Sequence, residues 1–467
     1  MAFTLLITFC LCGCSKKPAQ SNSDSSEAEE IQISELTKKE ASQFAKLKHQ
    51  YFTIDNKPEK TVKKEEVKVA EDGSFFDDFN GGIDPKIWGL ATKTWGGGNH
   101  GVIPDNVYYT EDGIVVLANN GDWYGGPLNQ TNGDDGEGGK RTGACLVSQK
   151  QLGPGSYEVR MKVAPQMGAC TAMWTFYWTN WDNHEIDIEI PADKQSFLNS
   201  QFVTWTTESD YVTKTKKPTF FHNDGEWHTY RFDWHTEPEK KVDFYVDDVF
   251  QVTINKEIPT QAGRLWLGVW FPNGWTGVPL FDTSYMLIDS FKYTAFDEEH
   301  EFKRNLSAYT KKDSYPSDPI QLPTNNFISN GDFEVASDAW TMTEGAEIVK
   351  NPDREDQMLR LYEGSSAEQK MISAVPDSDY LFTMLSAVHD GKVTLSVDYL
   401  SSVIGNNILS SESFDFDSSD FNVNQTNLHT PKECTVIRFK ISSTGKTAYV
   451  DDVYLTQPNR NDFHILY

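Results

Sequence analysis

The 467-residue chain is poor in cysteine, and its cysteines are spread too widely to form a disulfide framework. Three of the six lie within the first 14 residues, and the others are Cys145, Cys170 and Cys434. An odd number at such wide spacing fits neither a disulfide-stapled fold nor a zinc site. Cys145 and Cys170 could form one bond, or both could be buried free thiols.

Basic residues are also scarce, since 42 Lys and Arg stand against 69 Asp and Glu, for a formal net charge of −27. Phosphate backbones and anionic lipid surfaces are bound by clustered Lys and Arg, so we expect neither a nucleic-acid partner nor electrostatic membrane binding. No apolar run reaches the ~20 residues of a membrane-spanning helix. No long-period repeat is present, which excludes solenoids and propellers.

The amino-terminal residues resemble a bacterial lipoprotein signal. A short apolar run, Phe3–Cys12, leads to Cys14, the residue that such signals lipidate and the last of the predicted signal segment, residues 1–14. An ordinary secretion signal is the alternative. A polar tether over residues 15–73 follows, with an amphipathic helix predicted over Ile33–Phe52 and capped by Ser34. We therefore expect a chain at the bacterial cell envelope, which touches the membrane only through a lipid anchor, or a secreted chain.

From Phe75 onward, short alternating runs are separated by Gly, Asp, Asn and Pro, and runs with helical periodicity are nearly absent. This pattern predicts an all-β sandwich or barrel. The clearest runs are Ile114–Ala118, Ser156–Val163, Ala172–Trp178, His184–Ile190, Thr229–Trp234, Val242–Val246 and Arg264–Trp270. We predict a first domain over residues 74–297, a charged linker over 298–323 and a second, smaller β-sandwich over 324–459.

The most informative run contains three acidic residues at alternate positions, Glu185, Asp187 and Glu189. In a strand, alternate residues share a face, so the carboxylates point one way and the intervening isoleucines point into the core. Like charges in a row on one sheet face destabilise the sheet. A solvated acidic face and a calcium-binding cluster are the simple alternatives, and catalysis is the third.

Two-carboxylate glycoside hydrolysis fits this spacing. The Cα atoms of Glu185 and Glu189 lie ~13 Å apart along a regular strand, and their side chains can close this to the ~5–5.5 Å of a retaining glycosidase. Glu185 would be the nucleophile and Glu189 the proton donor, then the base. Asp187, between them, would separate their pKa values.

Tryptophan is concentrated in the same region, because twelve of the thirteen lie between Trp88 and Trp275. Indole faces stack on sugar rings, although core packing is the alternative for any one of them. Trp174, Phe176 and Trp178 share one face of their run, as Trp266 and Trp270 do in another. A carboxylate row flanked by aromatic faces predicts a polysaccharide cleft.

Residues 75–297 resemble glycoside hydrolase family 16, which includes lichenases, laminarinases, xyloglucan-active enzymes and algal galactanases. The segments that match in family order are Phe76–Asn80, Asp105–Gly113, Gly155–Lys162, Glu185–Glu189, His228–Trp234, Phe244–Asp248 and Leu267–Trp270. The resemblance implies a β-jelly-roll sandwich with a concave cleft and a retaining mechanism. It makes Glu185 the nucleophile, Asp187 the assisting acid and Glu189 the acid/base.

A single residue separates Asp187 from Glu189, which resembles the branch of the family with a regular catalytic strand. This favours a β-1,3/1,4-glucan over an algal galactan, whose enzymes usually carry a bulge there. Hydrolysis of agar or carrageenan and transglycosylation remain alternatives. Two alternatives outside the enzymes are that the chain is a non-catalytic surface glycan-binding lipoprotein or a calcium-stabilised adhesion domain.

The same matching implies further site residues. The sugar-contact candidates are Trp178, Gln201, Trp205, Trp270, Trp275, Trp95 and Asn99. The Gly113 carbonyl and the Asp289 carboxylate match a structural calcium site, and no other cofactor is expected. The carboxy-terminal region resembles a carbohydrate-binding jelly roll; with Trp340 as its one tryptophan, it would be a sugar-binding module or a spacer. We expect a monomer that binds a polysaccharide.

Overall fold

The computed structural model describes residues 34–35, 66–93, 101–124, 141–179, 181–191, 199–218, 220–272, 275–302, 307, 309–310, 314–323, 325–334, 339–350, 357–401 and 406–457. These residues belong to one compact unit, Ser34–Tyr467. Their regular structure consists of strands, numbered here β1–β26 in chain order, and one 3-10 helix, Pro104–Asn106. The all-β prediction is confirmed. No helix in the described ranges is long and apolar enough to cross a membrane.

The first sandwich is built from two antiparallel sheets. In spatial order, the first sheet contains β11 (Tyr211–Lys216), β10 (Ser200–Thr207), β9 (Asp182–Pro191), β8 (Cys170–Thr179), β15 (Gly263–Trp270), β6 (Ala144–Leu152) and β3 (Trp88–Leu90). The second contains β14 (Val249–Ile254), β13 (Lys241–Val246), β12 (His228–His235), β7 (Gly155–Lys162), β16 (Thr283–Ala295), β5 (Val115–Asn120) and β4 (Val107–Tyr109), with β2 (Phe75–Asp77) beside β16.

Apolar side chains from both sheets form the core between them. Trp88 and Trp234 are fully buried there, as are the inward-facing isoleucines of β9, Ile186 and Ile188. The predicted division of β9 into an apolar core face and an acidic outer face is therefore confirmed. Burying one isoleucine side chain contributes about 1.5–3 kcal/mol, so these residues fix which face of β9 turns outward.

The second sandwich also has two sheets. The first contains β1 (Ser34–Glu35), β18 (Ala346–Lys350), β19 (Gln357–Tyr362), β26 (Thr447–Thr456), β21 (Asp379–His389) and β24 (Asn422–His429). The second contains β17 (Thr341–Met342), β20 (Ser366–Ser373), β25 (Val436–Ser443), β22 (Val393–Leu400) and β23 (Ile408–Phe416). Trp340 is buried in the core between them, where its Nε1 donates to the Asn330 carbonyl at 2.9 Å. Its indole is therefore not exposed for stacking on a sugar.

The predicted helix cap at Ser34 is wrong. Ser34 and Glu35 form a short strand parallel to Val349 and Lys350 at the edge of the second sandwich. An edge strand offers unpaired backbone N–H and C=O groups, which an extended segment satisfies and a helical one does not. The rest of the predicted helix and the proposed lipidation site, Cys14, lie outside the described residues. The three cysteines of the body are buried free thiols.

The described part of the predicted linker lies against the first sandwich. Thr310 Oγ1 donates to the Leu90 carbonyl at 2.7 Å, and Tyr315 donates its hydroxyl to the Trp88 carbonyl at 2.6 Å. The backbone N–H of Tyr309 donates to Gln149 Oε1 at 2.9 Å. These bonds attach the segment to β3 and β6, at one edge of the sheet that contains β9. The domain boundaries themselves stay predictions.

Candidate active site

The acidic row lies on a regular strand. β9 pairs with both β8 and β10, and neither register shifts between Glu185 and Glu189. The three carboxylates therefore point to one face, as predicted, and no bulge separates Asp187 from Glu189. On β8 and β10, Glu185 has the neighbours Phe176 and Trp205. Asp187 lies between Trp174 and Val203, and Glu189 lies between Ala172 and Gln201.

Hydrogen bonds hold two of the three carboxyl groups. Asn183 Nδ2 donates to Glu185 Oε2 at 3.0 Å, and Trp205 Nε1 donates to Asp187 Oδ2 at 3.2 Å. Glu185 and Asp187 also share a side-chain hydrogen bond, in which a protonated Asp187 is the donor and the Glu185 carboxylate the acceptor. Glu185 is therefore oriented by two neighbours on its own strand.

Burial raises the pKa of all three groups, but to different extents. Burial, followed by the negative charge of Glu185, raises the pKa of Glu189 to about 8. Burial and the charges of both glutamates raise the pKa of Asp187 well above its usual range. For Glu185, burial raises the pKa, while bonds from Asn183 and Asp187 and the charge of Lys93 oppose that rise. Glu189, whose pKa rises to about 8, therefore holds its proton at neutral pH, whereas the influences that oppose such a rise act on Glu185 at the other end of the row.

Beside the carboxylates, the strand register aligns two rows of residues across the sheet. One row continues from Glu189 across three strands through the small residues Ala172, Gly268 and Cys145. A Cβ added at Gly268 would lie 2.8 Å from the Cys145 Sγ, so a larger residue would crowd this row. The adjacent row carries Trp174 and Trp266, whose rings stack at 5.5 Å and 17°. Ala172, Cys145 and the two indoles are buried, so they form the layer that supports the surface beside the carboxylates.

The predicted sugar-contact residues fall into two groups. Gln201 and Trp205 lie directly opposite Glu189 and Glu185, and Trp205 is stacked on Tyr211 at 4.2 Å. The second group, Trp178, Trp270 and Trp275, lies at or just beyond the ends of β8 and β15. Trp95 and Asn99 lie outside the described residues. The structure thus places Gln201 and Trp205 at the carboxylates, as the sequence matching implied.

Exposed indoles lie at both ends of the neighbouring strands. Trp178 is 49% exposed near the Glu185 end of β8, and its Nε1 donates to Glu208 Oε1 at 2.8 Å. Trp275 is 41% exposed and lies edge-on to Trp270, which pairs with Cys170 at the other end. By contrast, Trp174 and Trp266 are buried, so they support the surface rather than offer open faces.

Sequence reasoning missed two residues of this site. Lys93, which follows β3, places its Nζ 4.6 Å from the centre of the Phe176 ring and 5.3 Å from that of Trp266. No local pattern marks it, since it is remote in sequence from the acidic row. Asn183 stands two positions before Glu185 on the same strand face, and the period-2 argument could have found it.

The predicted calcium ligands have other partners. The Asp289 carboxylate forms an ion pair with Arg160 at 2.9 Å and accepts a bond from Ser290 Oγ at 3.3 Å. Gly113 lies in a turn at φ +85°, next to Asn80 and the Asp78 carbonyl. Within the described ranges, no group of three or more His, Cys, Asp or Glu side chains is arranged to hold a metal ion. Arg160 already balances the carboxylate charge that the cation would need, and calcium binding stays a prediction.

Several known proteins are similar in sequence to this region of the chain. The profile of glycosyl hydrolases family 16 matches residues 104–285, which include the acidic row. A β-glucanase of Bacillus subtilis is 31% identical over 219 residues, which cover 46% of this chain and 80% of that enzyme. An endo-1,3-1,4-β-glycanase of Rhizobium meliloti is 22% identical over 252 residues, covering 51% and 85% of the two chains.

Among solved structures, the β-glucanase of Bacillus licheniformis aligns with a TM-score of 0.40 and 23% identity, over 48% of this chain and 98% of that one. The family assignment rests on the sequence comparisons, which cover most of the B. subtilis enzyme. The chain belongs to glycosyl hydrolases family 16.

Proposed function

We propose that the chain is a retaining endo-glycoside hydrolase that cleaves a β-1,3/1,4-glucan by double displacement. The observation that carries this proposal is the unbulged row on β9, where Glu185 and Glu189 share one face with Asp187 between them. A retaining glycosidase needs this pair, one group as nucleophile and one as acid. The raised pKa of Glu189, about 8, suits the proton donor, and the hydrogen bonds that Glu185 accepts from Asn183 and Asp187 suit the nucleophile.

In the first step, a carboxylate oxygen of Glu185 attacks the anomeric carbon, and the bond from that carbon to the glycosidic oxygen breaks. The leaving oxygen takes the proton of Glu189. In the second step, Glu189 accepts a proton from water as the water oxygen attacks the same carbon, and Glu185 leaves as a carboxylate. Asp187 donates a hydrogen bond to Glu185 while that group is an anion, and the N–H of Trp205 keeps Asp187 in place.

Three features support a β-glucan and attack within the chain. Exposed indoles, Trp178 and Trp275, lie at opposite ends of the strands beside the row, so the site suits consecutive sugars rather than a single terminal ring. The catalytic strand has no bulge, a feature of the glucan-active branch. The relatives include proteins named β-glucanase and endo-1,3-1,4-β-glycanase. A galactan hydrolase and a transglycosylase use the same catalytic residues and are the competing outcomes.

The location of the enzyme and its metal content belong to the same proposal. A lipid on Cys14 would hold the enzyme at the bacterial cell envelope, and cleavage without lipidation would release it. A structural calcium at Gly113 and Asp289 would require Arg160 to give up its ion pair. Mass spectrometry of the membrane fraction and of the dialysed protein would test these two points separately.

The decisive experiment measures reducing-end release and product size on barley mixed-linkage glucan, laminarin, xyloglucan, agarose and carrageenan, with Glu185→Gln as the matched variant. We expect internal cleavage of the mixed-linkage glucan and a loss of activity of at least about a thousandfold in the variant. Cleavage of agarose or carrageenan alone would overturn the substrate. Binding without cleavage of any of the five would replace the enzyme with a glycan-binding protein.

A further inference from the structure

Lys93 stands out because it is a cation in an acidic protein, directed into the cleft. Its backbone is fixed by two hydrogen bonds with Val102, at 3.2 and 2.8 Å. Its ammonium lies over Phe176 and Trp266, at 4.6 and 5.3 Å from the ring centres. Aromatic faces attract a cation through their quadrupoles, and the ammonium carries a positive field that acts on its surroundings.

That field falls on one end of the acidic row. Phe176 is the direct cross-strand neighbour of Glu185, whereas the neighbour of Glu189 is Ala172, four residues away on β8. The charge of Lys93 accordingly lowers the pKa of Glu185, whereas burial and the neighbouring carboxylates are the main influences on the pKa values of Asp187 and Glu189. The influence is reciprocal, since Glu185 opposes the lowering of the Lys93 pKa that burial causes.

We propose that Lys93 is the positioning residue that makes the two ends of the acidic row unequal: its ammonium, held over Phe176 and Trp266, keeps Glu185 in the anionic form that attacks the sugar. This inference rests on the proposed function. Without the cation, three buried carboxyl groups would differ much less in their affinity for protons. A lysine beside Glu189 would favour the ionised form of that carboxyl group, which has no proton to donate to the leaving oxygen.

In the part of the chain that the structure describes, few groups face Glu185 from each packed element. On β9 they are Asn183, Asp187 and Glu189; on β8 and β10 they are the uncharged Phe176 and Trp205. A second cation on this sheet, within the described ranges, is Arg264, opposite Phe176 on β15. Its guanidinium donates to the Ser307 carbonyl at 2.5 Å and lies over Tyr309, 5.2 Å from the ring centre. Among the described residues, Lys93 is thus the cation that acts on Glu185.

The test compares the full-length protein with Lys93→Met, Lys93→Arg and a control, Lys214→Met, which removes an exposed cation from β11 of the same sheet. Carbon-13 NMR of carboxyl-labelled glutamate, assigned with Glu185→Gln, follows the Glu185 titration without substrate. The pH profile of kcat/KM on the cleaved glucan follows its ionised form. Thermal unfolding checks that every variant is folded.

Removing an opposite charge raises the pKa of a carboxyl group, so the acid limb of the profile moves to higher pH. We expect Lys93→Met to raise both the Glu185 midpoint and the acid limb by about one pH unit, with about tenfold lower kcat/KM below the limb. Lys93→Arg and Lys214→Met should leave both in place. The inference is wrong if Lys93→Met lowers kcat/KM equally at every pH with the midpoint unmoved. A wild-type protein that cleaves no glucan would overturn the proposed function, and the NMR midpoint would still decide the role of Lys93.

Discussion

Replacing Glu189 by glutamine should inactivate the enzyme and at the same time stabilise its fold. Burial raises the pKa of this carboxyl group from 4.5 to about 8, so the folded protein holds a proton that the unfolded chain releases at neutral pH. Each pH unit between the two pKa values contributes about 1.4 kcal/mol in favour of the unfolded chain. Glutamine has the shape of the protonated acid and carries no such dependence on pH.

The size of the effect follows from these values. At pH 7, which is 2.5 pH units above the free-glutamate value, the cost reaches about 3 kcal/mol at most. Glu189 is partly exposed to the cleft, where water reduces the penalty, so we expect about 2 kcal/mol, or a rise in Tm of about 4–8 °C. The difference should shrink toward zero at pH 4.5 and grow as the pH approaches 8.

Thermal unfolding of the wild type, Glu189→Gln and Gln201→Ala between pH 4.5 and 8.5 would measure this. Gln201 lies opposite Glu189 and cannot ionise, so its removal should change stability by the same amount at every pH. The reasoning would be refuted if Glu189→Gln were less stable than the wild type throughout, or if the stability difference did not depend on pH.

Two further predictions concern the cleft rim and the opposite sheet. Trp178 is exposed and lies two positions beyond Phe176, the cross-strand neighbour of Glu185. Trp178→Ala should therefore raise KM by up to about tenfold and leave kcat nearly unchanged. A loss of kcat of equal size would contradict a role in binding alone. Burial lowers the pKa of His228, but ion pairs with Asp224 and Asp247 raise it above its usual value overall. That stabilisation is present below pH 6.5 and is lost as the pH rises through the folded pKa, so His228→Gln should destabilise the protein more at pH 6 than at pH 8.5 in urea unfolding.

The sequence was sufficient to predict the face that the acidic row occupies. Alternation along one strand determines which side chains share a face. Because Ile186 and Ile188 are buried in the core, the acidic residues between them point to the opposite face, toward the cleft. Both facts are local to β9. The predicted short runs likewise correspond to strands, because period-2 alternation with Gly and Asn breaks is a local property of each segment.

Features that depend on register or on distant segments could not be predicted in the same way. Trp174 and Trp266 belong to strands far apart in the chain, and only their pairing shows that the two rings stack and are buried. Lys93 reaches the row from a segment after an edge strand, and nothing in its neighbourhood marks it as part of a site. Ser34 has the side chain of a helix cap, but the open edge of the second sandwich pairs it as a strand instead.

The central claim is that Glu185 attacks the sugar and Glu189 supplies the proton, with the product keeping its anomeric configuration. Proton NMR of the first seconds of mixed-linkage glucan cleavage measures this directly, before mutarotation mixes the anomers. The account predicts that the β-anomer of the new reducing end appears first and then equilibrates. If the α-anomer appeared first, the reaction would invert configuration, and the assignment of Glu185 as a nucleophile would be wrong.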